Sequence, residues 1–314
     1  MLERPPPLSP GDPVAVVAPA SAPRSPTPYE EGLARLRETY DVRFAWTPGT
    51  ERGYLAAPDR DRLDALHRAF ATPDIRALFC VRGGYGCLRL LQQIDWRLAR
   101  RHPTLLVGYS DITALHLAYY KLARMPGLSG PVMTEWGDAD DATLGSFRAW
   151  SRGQTPSFVD AFDAALTSLV SGTATGPLLG GTLSVLSRLL GTRFAPDFQG
   201  AILVLEEVAE APYRVDRMLS HLQHAGILDA VSGVVLGHFT TGDLDPDKPT
   251  LSLGTVFDDY LADRSYPVVK GLPYGHLLPR CSLPLGVPVR LDASAEGASL
   301  TAQAALVDPP GNDA

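Results

Sequence analysis

The sequence predicts an α/β protein whose first half forms a doubly wound parallel sheet. Short apolar runs alternate with amphipathic helical patterns before residue 120, an order that is typical of parallel strands joined by crossover helices. The last of these units, residues 104–120, places a serine at the turn from strand to helix. After residue 176 the pattern changes, which indicates a second, smaller domain.

The first domain is predicted over residues 1–150. The continuous apolar run 14–19 predicts a strand that is covered on both faces. The other predicted elements follow from period-2 or helical spacing of apolar residues: strands at 42–46, 75–81 and 104–107, and helices at 29–40, 59–70 and 112–120. Ligands of such sheets bind at the carboxyl ends of the strands, so the turns after residues 81 and 107 are the candidate site positions.

Residues 151–175 are predicted as a linker that contains a helix at 162–170, and residues 176–314 as the second domain. Gly180 and Gly181 are expected to open a helix over 182–190. The remaining predicted elements are strands at 201–205, 231–236 and 268–272, a helix at 213–224, and a hairpin or barrel edge formed by 287–291 and 298–302.

The composition argues against several classes of partner. The 314 residues carry a net charge of −7 and contain no long basic run, which does not suit a nucleic-acid backbone. No apolar stretch approaches the roughly 18 residues that span a bilayer, and the N-terminus lacks the apolar core of a signal peptide. The three cysteines fit neither a metal spacing nor a disulfide set. We expect a cytoplasmic protein that binds neither nucleic acid nor membrane.

Ser110 lies at the predicted strand-to-helix turn, in Gly108-Tyr109-Ser110-Asp111. An α/β enzyme presents a nucleophile at this place, where the free N–H groups of a helix N-terminus can stabilise an oxyanion. The alternative is that Ser110 caps the helix, and on the turn alone the cap is the commoner outcome.

A serine nucleophile needs a general base and a carboxylate that orients the base. His276 follows a predicted strand and lies between Gly275 and a proline-rich turn, from which its ring can reach a cleft. Glu206 and Glu207 close an apolar strand, with a solvated strand end as the alternative. Side chains alternate along a strand, so only one of these acids can face His276. The histidines lack zinc spacing, and no metal or cofactor is expected.

The turn Arg82-Gly83-Gly84-Tyr85-Gly86 lacks the glycine spacing of a dinucleotide-binding turn or a P-loop. Its glycines let backbone N–H groups approach a ligand or an oxyanion. Arg82 is a candidate for binding a substrate carboxylate through its guanidinium fork. A structural ion pair is the alternative role for this arginine.

These motifs, in this order, resemble those of the LD-carboxypeptidases, which are serine peptidases. The resemblance covers nearly the whole chain and is carried by residues 82–86, 108–113, 205–207, 213–219 and 275–286. It implies a Rossmann-like N-terminal domain with a parallel sheet, a smaller barrel-like C-terminal α/β domain, and no metal or cofactor.

The resemblance also implies site residues and a substrate. Ser110 matches the nucleophile, Glu206 the acid and His276 the base of a triad. The oxyanion hole would use the backbone N–H groups of Asp111 and of either Gly83 or Gly84. The family releases the terminal D-alanine from murein tetrapeptide stems, so a muropeptide or small peptide and a homodimer are implied.

Two alternatives stay open beside the cell-wall peptidase. One is an activity similar to the microcin C self-immunity peptidases, which cleave a peptidyl nucleotide amide. The other is a non-catalytic protein that binds a small molecule. Three places depart from the family pattern: Ser129 replaces a common histidine, and Thr182 and the segment Pro279-Arg280-Cys281 each stand where an asparagine is common.

Overall fold

The computed structural model describes residues 2–242, 247–294 and 297–308. The chain forms two compact units. Unit 1 comprises the residues up to Pro156, together with Ser282–Gly286 and a short C-terminal segment from Ala305, and unit 2 comprises Ser157–Cys281 and Val287–Ala304. The first division lies within the predicted linker, and the chain returns to unit 1 late in the sequence.

Unit 1 is built around a six-stranded sheet with the strand order β11-β5-β4-β3-β1-β2. The strands are β1 (Pro13–Val17), β2 (Asp41–Ala45), β3 (Ala77–Cys80), β4 (Leu105–Val107), β5 (Gly127–Ser129) and β11 (Leu283–Leu285). All neighbouring strands are parallel except β11, which pairs antiparallel with β5.

Helices connect these strands because apolar side chains recur on one face of each connecting segment. They are α1 (Pro26–Arg37), α2 (Asp59–Ala71), α3 (Cys87–Leu90), α4 (Trp96–Arg101), α5 (Thr113–Ala118), α6 (Met133–Trp136) and α7 (Asp141–Ser151). Phe79, Trp136 and Phe147 meet within 5.6 Å between ring centroids and fill the core on one side of the sheet. Phe79 belongs to β3, so this packing holds the strand after which the Arg82–Gly86 turn follows.

Unit 2 contains a seven-stranded sheet with the order β13-β12-β7-β8-β9-β10-β6. Its strands are β6 (Thr167–Val170), β7 (Gly172–Thr182), β8 (Ile202–Glu207), β9 (Gly233–Phe239), β10 (Val268–Lys270), β12 (Pro288–Ser294) and β13 (Gly297–Ala302), and its helices are α8 (Leu183–Leu189), α9 (Pro212–His224), α10 (Ile227–Ala230) and α11 (Leu253–Leu261). A bridge between Leu166 and Ala298 joins the two ends of the sheet, so the sheet nearly closes into a barrel. The predicted fold class is confirmed for both units.

One sequence-based assignment was wrong. The predicted helix 162–170 is a 3₁₀ turn at Asp160–Phe162 followed by strand β6, which pairs antiparallel with β10. The left-handed φ of Asp163, 47°, stops the helical turn. The β-branched residues at both ends of β6, Thr167 and Val170, then favour the strand.

The helix predicted over residues 182–190 is observed as α8, Leu183–Leu189, and the two glycines before it lie in β7, which continues through Thr182. Gly180 has φ +137°, and a Cβ on it would lie 1.9 Å from the carbonyl oxygen of Val204 on β8. The glycine therefore serves close strand pairing rather than helix initiation. Helix α7 was not predicted, although Leu144, Phe147 and Ser151 recur at helical spacing and are buried.

Candidate active site

Ser110 directly follows the Gly108-Tyr109 pair after β4 and begins a 3₁₀ turn, Ser110–Ile112, that leads into α5. Its φ is +65°, a left-handed value that is costly for a residue with a side chain. The N-cap position of the turn is occupied by Tyr109, with extended φ of −144°, so the capping interpretation of Ser110 does not fit. A strained serine on a sharp strand-to-helix turn is the geometry of a nucleophile elbow.

The glycine turn after β3 packs against this serine. A Cβ on Gly83 would lie 2.7 Å from Ser110 Cβ and 3.0 Å from its Oγ, so only a glycine leaves room for the hydroxyl. The Cys87 N–H, at the start of α3, donates to Asp111 Oδ2 at 2.8 Å and ties the turn to the Ser110 loop. Burial raises the pKa of Asp111, and the hydrogen bonds from Cys87 oppose this shift. Gly83, Gly84 and Asp111 thus belong to one connected backbone region around Ser110.

His116 on α5 holds the backbone that precedes the turn. Its Nε2 lies 2.8 Å from the Gly108 carbonyl oxygen. A carbonyl only accepts hydrogen bonds, so Nε2 carries the proton and donates it. The ring is fully buried, and burial lowers the pKa of His116 from 6.5 to about 4. His116 is therefore neutral when it positions the Gly108 carbonyl.

This burial predicts an acid-sensitive contribution to stability. The folded-state pKa of His116 is depressed, so its contribution is complete above pH 6.5 and declines as the pH falls towards about 4. Between pH 7 and pH 5 the wild type should lose about 2 kcal/mol of unfolding free energy that a His116→Gln variant does not lose. Urea denaturation at both pH values measures the difference. His224→Gln, at an exposed position of α9, is the matched control, and an equal pH response in wild type and His116→Gln would contradict the assignment.

Arg82 is half-buried at the start of the glycine turn, and its Nη1 donates to the Ala22 carbonyl oxygen at 3.0 Å. Within the described part of the chain it makes no ion pair with a carboxylate. Burial and the neighbouring Arg24 guanidinium lower the pKa of Arg82. Two neighbouring guanidinium groups form a favourable environment for an anion.

Glu206 and His276 meet in unit 2. Glu206, fully buried near the end of β8, has Oε2 at 2.8 Å from His276 Nδ1. Its other oxygen, Oε1, accepts from Thr182 Oγ1 at the end of the neighbouring strand β7. Gly275 has φ +128°, and a Cβ there would lie 2.8 Å from Glu206 Oε2, so the glycine permits the approach of the histidine. With Nδ1 engaged by the carboxylate, Nε2 of His276 is the nitrogen suited to proton transfer.

Glu207 points to the other side of β8 and has a different set of partners. Its Oε2 accepts from the Ser184 N–H at 2.6 Å, at the N-terminus of α8, and its Oε1 accepts from the Val208 N–H at 3.0 Å. Burial raises the pKa of Glu207, and these hydrogen bonds oppose the shift. The side chain anchors the start of α8, whereas Glu206 contacts the histidine.

Of the sequence-predicted site residues, Ser110, Asp111, Gly83, Gly84 and Arg82 belong to unit 1. Glu206 and His276 belong to unit 2.

Sequence reasoning missed the role of Thr182 as a partner of Glu206. Thr182 lies opposite Glu206 in the parallel register of β7 and β8. This register cannot be obtained from one sequence. The described residues contain no group of three or more His, Cys, Asp or Glu side chains placed to hold a metal ion. Nor does any helix among them have the length and hydropathy needed to cross a membrane.

Comparison with known families defines the class of this protein. A sequence model described as the LD-carboxypeptidase N-terminal domain matches residues 14–130, and one described as the LD-carboxypeptidase C-terminal domain matches residues 175–291. The chain therefore belongs to the LD-carboxypeptidase family, which confirms the resemblance drawn from the motifs.

Relatives cover nearly all of the chain. A probable murein peptide carboxypeptidase of Bacillus subtilis is 33% identical over 303 residues, which is 95% of this chain and 94% of the relative. The murein tetrapeptide carboxypeptidase of Pseudomonas aeruginosa is 34% identical over 298 residues, with 90% and 93% covered.

Solved structures share the same fold. The muramoyltetrapeptide carboxypeptidase of Oxalobacter formigenes superposes with a TM-score of 0.81 at 29% identity, covering 95% of this chain and all of that one. The microcin C7 self-immunity protein MccF in its wild-type apo state gives a TM-score of 0.86 at 21% identity, with 98% and 99% covered. At that identity the second likeness concerns the fold alone.

Proposed function

We propose that this protein is a serine LD-carboxypeptidase that releases the terminal D-alanine from murein tetrapeptide stems. The observation that carries the proposal is the hydrogen bond between buried Glu206 and His276. A carboxylate that orients a loop histidine is the arrangement of a serine-hydrolase base, and the strained turn at Ser110 suits the nucleophile. The names of the relatives support a muropeptide or small peptide as substrate.

In the proposed reaction, His276 Nε2 removes the proton from the Ser110 hydroxyl as its oxygen attacks the carbonyl carbon before the terminal D-alanine. Glu206 keeps the second proton of the ring on Nδ1 and stabilises the imidazolium that forms. The oxyanion is stabilised by the backbone N–H groups of Asp111 and of Gly83 or Gly84.

The tetrahedral intermediate collapses when His276 donates its proton to the departing amine of D-alanine. This leaves the shortened stem as an ester on Ser110. A water molecule, deprotonated by the same histidine, then hydrolyses the ester and regenerates the serine. No step requires a metal or cofactor. We further propose that the enzyme is a homodimer, as the family resemblance implies, and that it acts in the cytoplasm, where its three cysteines would remain reduced.

One experiment separates this function from its alternatives. The purified protein is incubated with L-Ala-D-Glu-diamino acid-D-Ala tetrapeptide and, separately, with a peptidyl nucleotide amide, and mass spectrometry identifies the products. We expect free D-alanine and a tripeptide from the first substrate. Cleavage of the nucleotide amide alone would support the second candidate, which is favoured by the fold shared with MccF, solved in complex with glutamyl sulfamoyl guanosine. Cleavage of neither would support a binding protein.

We propose that Arg82 binds the terminal carboxylate of the substrate. Arg82→Lys removes the planar fork and keeps the positive charge, so kcat/KM for the tetrapeptide should fall by about 10- to 100-fold. The melting temperature should change little, because the arginine makes no ion pair with a carboxylate in the described chain. Arg188→Lys, at an exposed position of α8, is the control. Unchanged steady-state kinetics in Arg82→Lys would dismiss this role.

A further inference from the structure

Two exposed tyrosines of unit 1 lie in contact, Tyr85 on the glycine turn that packs against Ser110 and Tyr54 on a loop next to that turn. Tyr54 is 64% exposed and Tyr85 is 45% exposed, and their rings meet edge to face with centroids 5.3 Å apart. Exposed large aromatic groups in contact with each other are a mark of a binding surface. Tyr85 belongs to the turn in which Gly83 packs against Ser110. We name these two side chains the tyrosine pair.

The backbones that carry the tyrosine pair are fixed. Tyr54 lies at the tip of a tight loop in which Arg52 and Leu55 exchange backbone hydrogen bonds of 3.0 and 3.1 Å. The Tyr85 N–H donates to Ser21 Oγ at 3.1 Å. Both rings are therefore presented on ordered turns, which lowers the entropy lost when a ligand binds.

The Arg62 side chain connects the two loops that carry the tyrosine pair. This arginine is 2% exposed. Its Nε donates to the Ala57 carbonyl oxygen at 3.1 Å, and its Nη1 donates to the Gly86 carbonyl oxygen at 3.1 Å. Ala57 follows the loop of Tyr54, and Gly86 is next to Tyr85. A buried guanidinium that connects both loops holds the exposed rings in one relative position, as a binding site requires.

Polar groups adjoin the aromatic surface. Arg89 donates its backbone N–H to the carbonyl oxygen of Gly86, next to Tyr85, and its side chain pairs with Asp59 at 2.6 Å. The site therefore combines exposed ring surface with hydrogen-bonding groups at its edge. A pyranose ring has the matching chemistry, since it presents an apolar C–H face and a rim of hydroxyl groups.

We propose that the tyrosine pair binds the sugar ring of a sugar-bearing muropeptide. This inference rests on the proposed function, in which the carboxyl end of the stem lies at Ser110. A carboxypeptidase has one residue on the leaving side of the scissile bond. The rest of the substrate, with its sugar at the far end, extends from Ser110 on the other side of that bond. Tyr85 is on the glycine turn that packs against Ser110, and Tyr54 contacts Tyr85 from a neighbouring loop.

The kinetic test compares two substrates, the free tetrapeptide and the same tetrapeptide joined to N-acetylmuramic acid. In the wild type we expect kcat/KM to be about tenfold higher for the muramyl substrate. In Tyr54→Ala the ratio of the two kcat/KM values should fall to near one. In Tyr54→Phe most of the preference for the muramyl substrate should remain. Tyr213→Ala is the control, since Tyr213 is 55% exposed in unit 2. A wild-type ratio near one, or equal losses on both substrates in Tyr54→Ala, would overturn the sugar assignment.

A binding experiment keeps this inference separate from the proposed function. N-acetylmuramyl dipeptide, which lacks the cleaved bond, and the unglycosylated dipeptide are titrated calorimetrically into wild type, Tyr54→Ala and Tyr85→Ala. We expect tighter binding of the muramyl ligand by wild type and loss of that preference in both variants. This result would stand even if no peptide were cleaved, which would refute only the proposed function. Equal affinity of the wild type for both dipeptides would refute the sugar site.

Discussion

Ser110→Ala is expected to abolish release of D-alanine from the tetrapeptide while leaving the protein folded. Replacing the nucleophile of such a triad typically lowers kcat by about 10⁶, because the remaining groups cannot form the acyl-enzyme. The rate is followed by mass spectrometry of the tripeptide product, and circular dichroism tests the fold. Ser25→Ala, at an exposed position just before α1, is the matched serine control.

A chemical readout adds to this kinetic test. A fluorophosphonate reagent, which modifies activated serines, should add its mass to the peptide that contains Ser110 in the wild type and not in Ser110→Ala. Cleavage by Ser110→Ala within tenfold of the wild-type rate would rule this serine out as nucleophile.

Glu206→Gln should lower kcat by about 10⁴ with little effect on KM. A glutamine can offer its amide N–H where the carboxylate accepted from His276 Nδ1, so the ring loses the orientation and tautomer that the buried acid imposes. Steady-state kinetics on the tetrapeptide measures the loss, and thermal unfolding establishes that the variant is folded.

Glu207→Gln is the matched control for the neighbouring acid. Glu207 accepts the Ser184 N–H at the start of α8 and the Val208 N–H just after β8, and a glutamine can accept only one of them with its oxygen. We expect a loss of about 1 to 2 kcal/mol in unfolding free energy and a much smaller loss in kcat. If Glu207→Gln proves the more damaging to kcat, the acid of the triad is misassigned.

The repeating parts of the fold could be predicted from the sequence because they follow from local patterns. Four apolar runs separated by amphipathic helices predict β1 to β4 of the sheet of unit 1, and the period of each run assigns it as strand or helix. Strand β5, the fifth parallel strand, was not predicted. The C-terminal hairpin was predicted for the same reason, and β12 and β13 pair antiparallel as expected. Ser110 could also be selected from the sequence as a candidate site residue, because its position after an apolar strand is a local pattern.

Features that depend on pairing between distant segments of the chain could not be predicted from the sequence. The segment 162–170 has a helical pattern, but its last residues join β10, about 100 residues later in the chain. The contact of Thr182 with Glu206 depends on strand register, and the burial of His116 depends on packing around the whole helix. The hydrogen-bond partners and protonation states of the site residues therefore depend on the fold, whereas the residues themselves can be picked out from the sequence.

The late return of β11 to unit 1 has a consequence for synthesis of the protein. Strand β5 gains its antiparallel neighbour only from Leu283–Leu285, about 130 residues after the first segment of unit 1 has left the ribosome, a delay of roughly 10 s at common elongation rates. During that interval the nascent sheet has an unpaired strand at the β5 side, which is an opening for association with other chains. The sheet of unit 1 is therefore completed only after most of unit 2 has been synthesised.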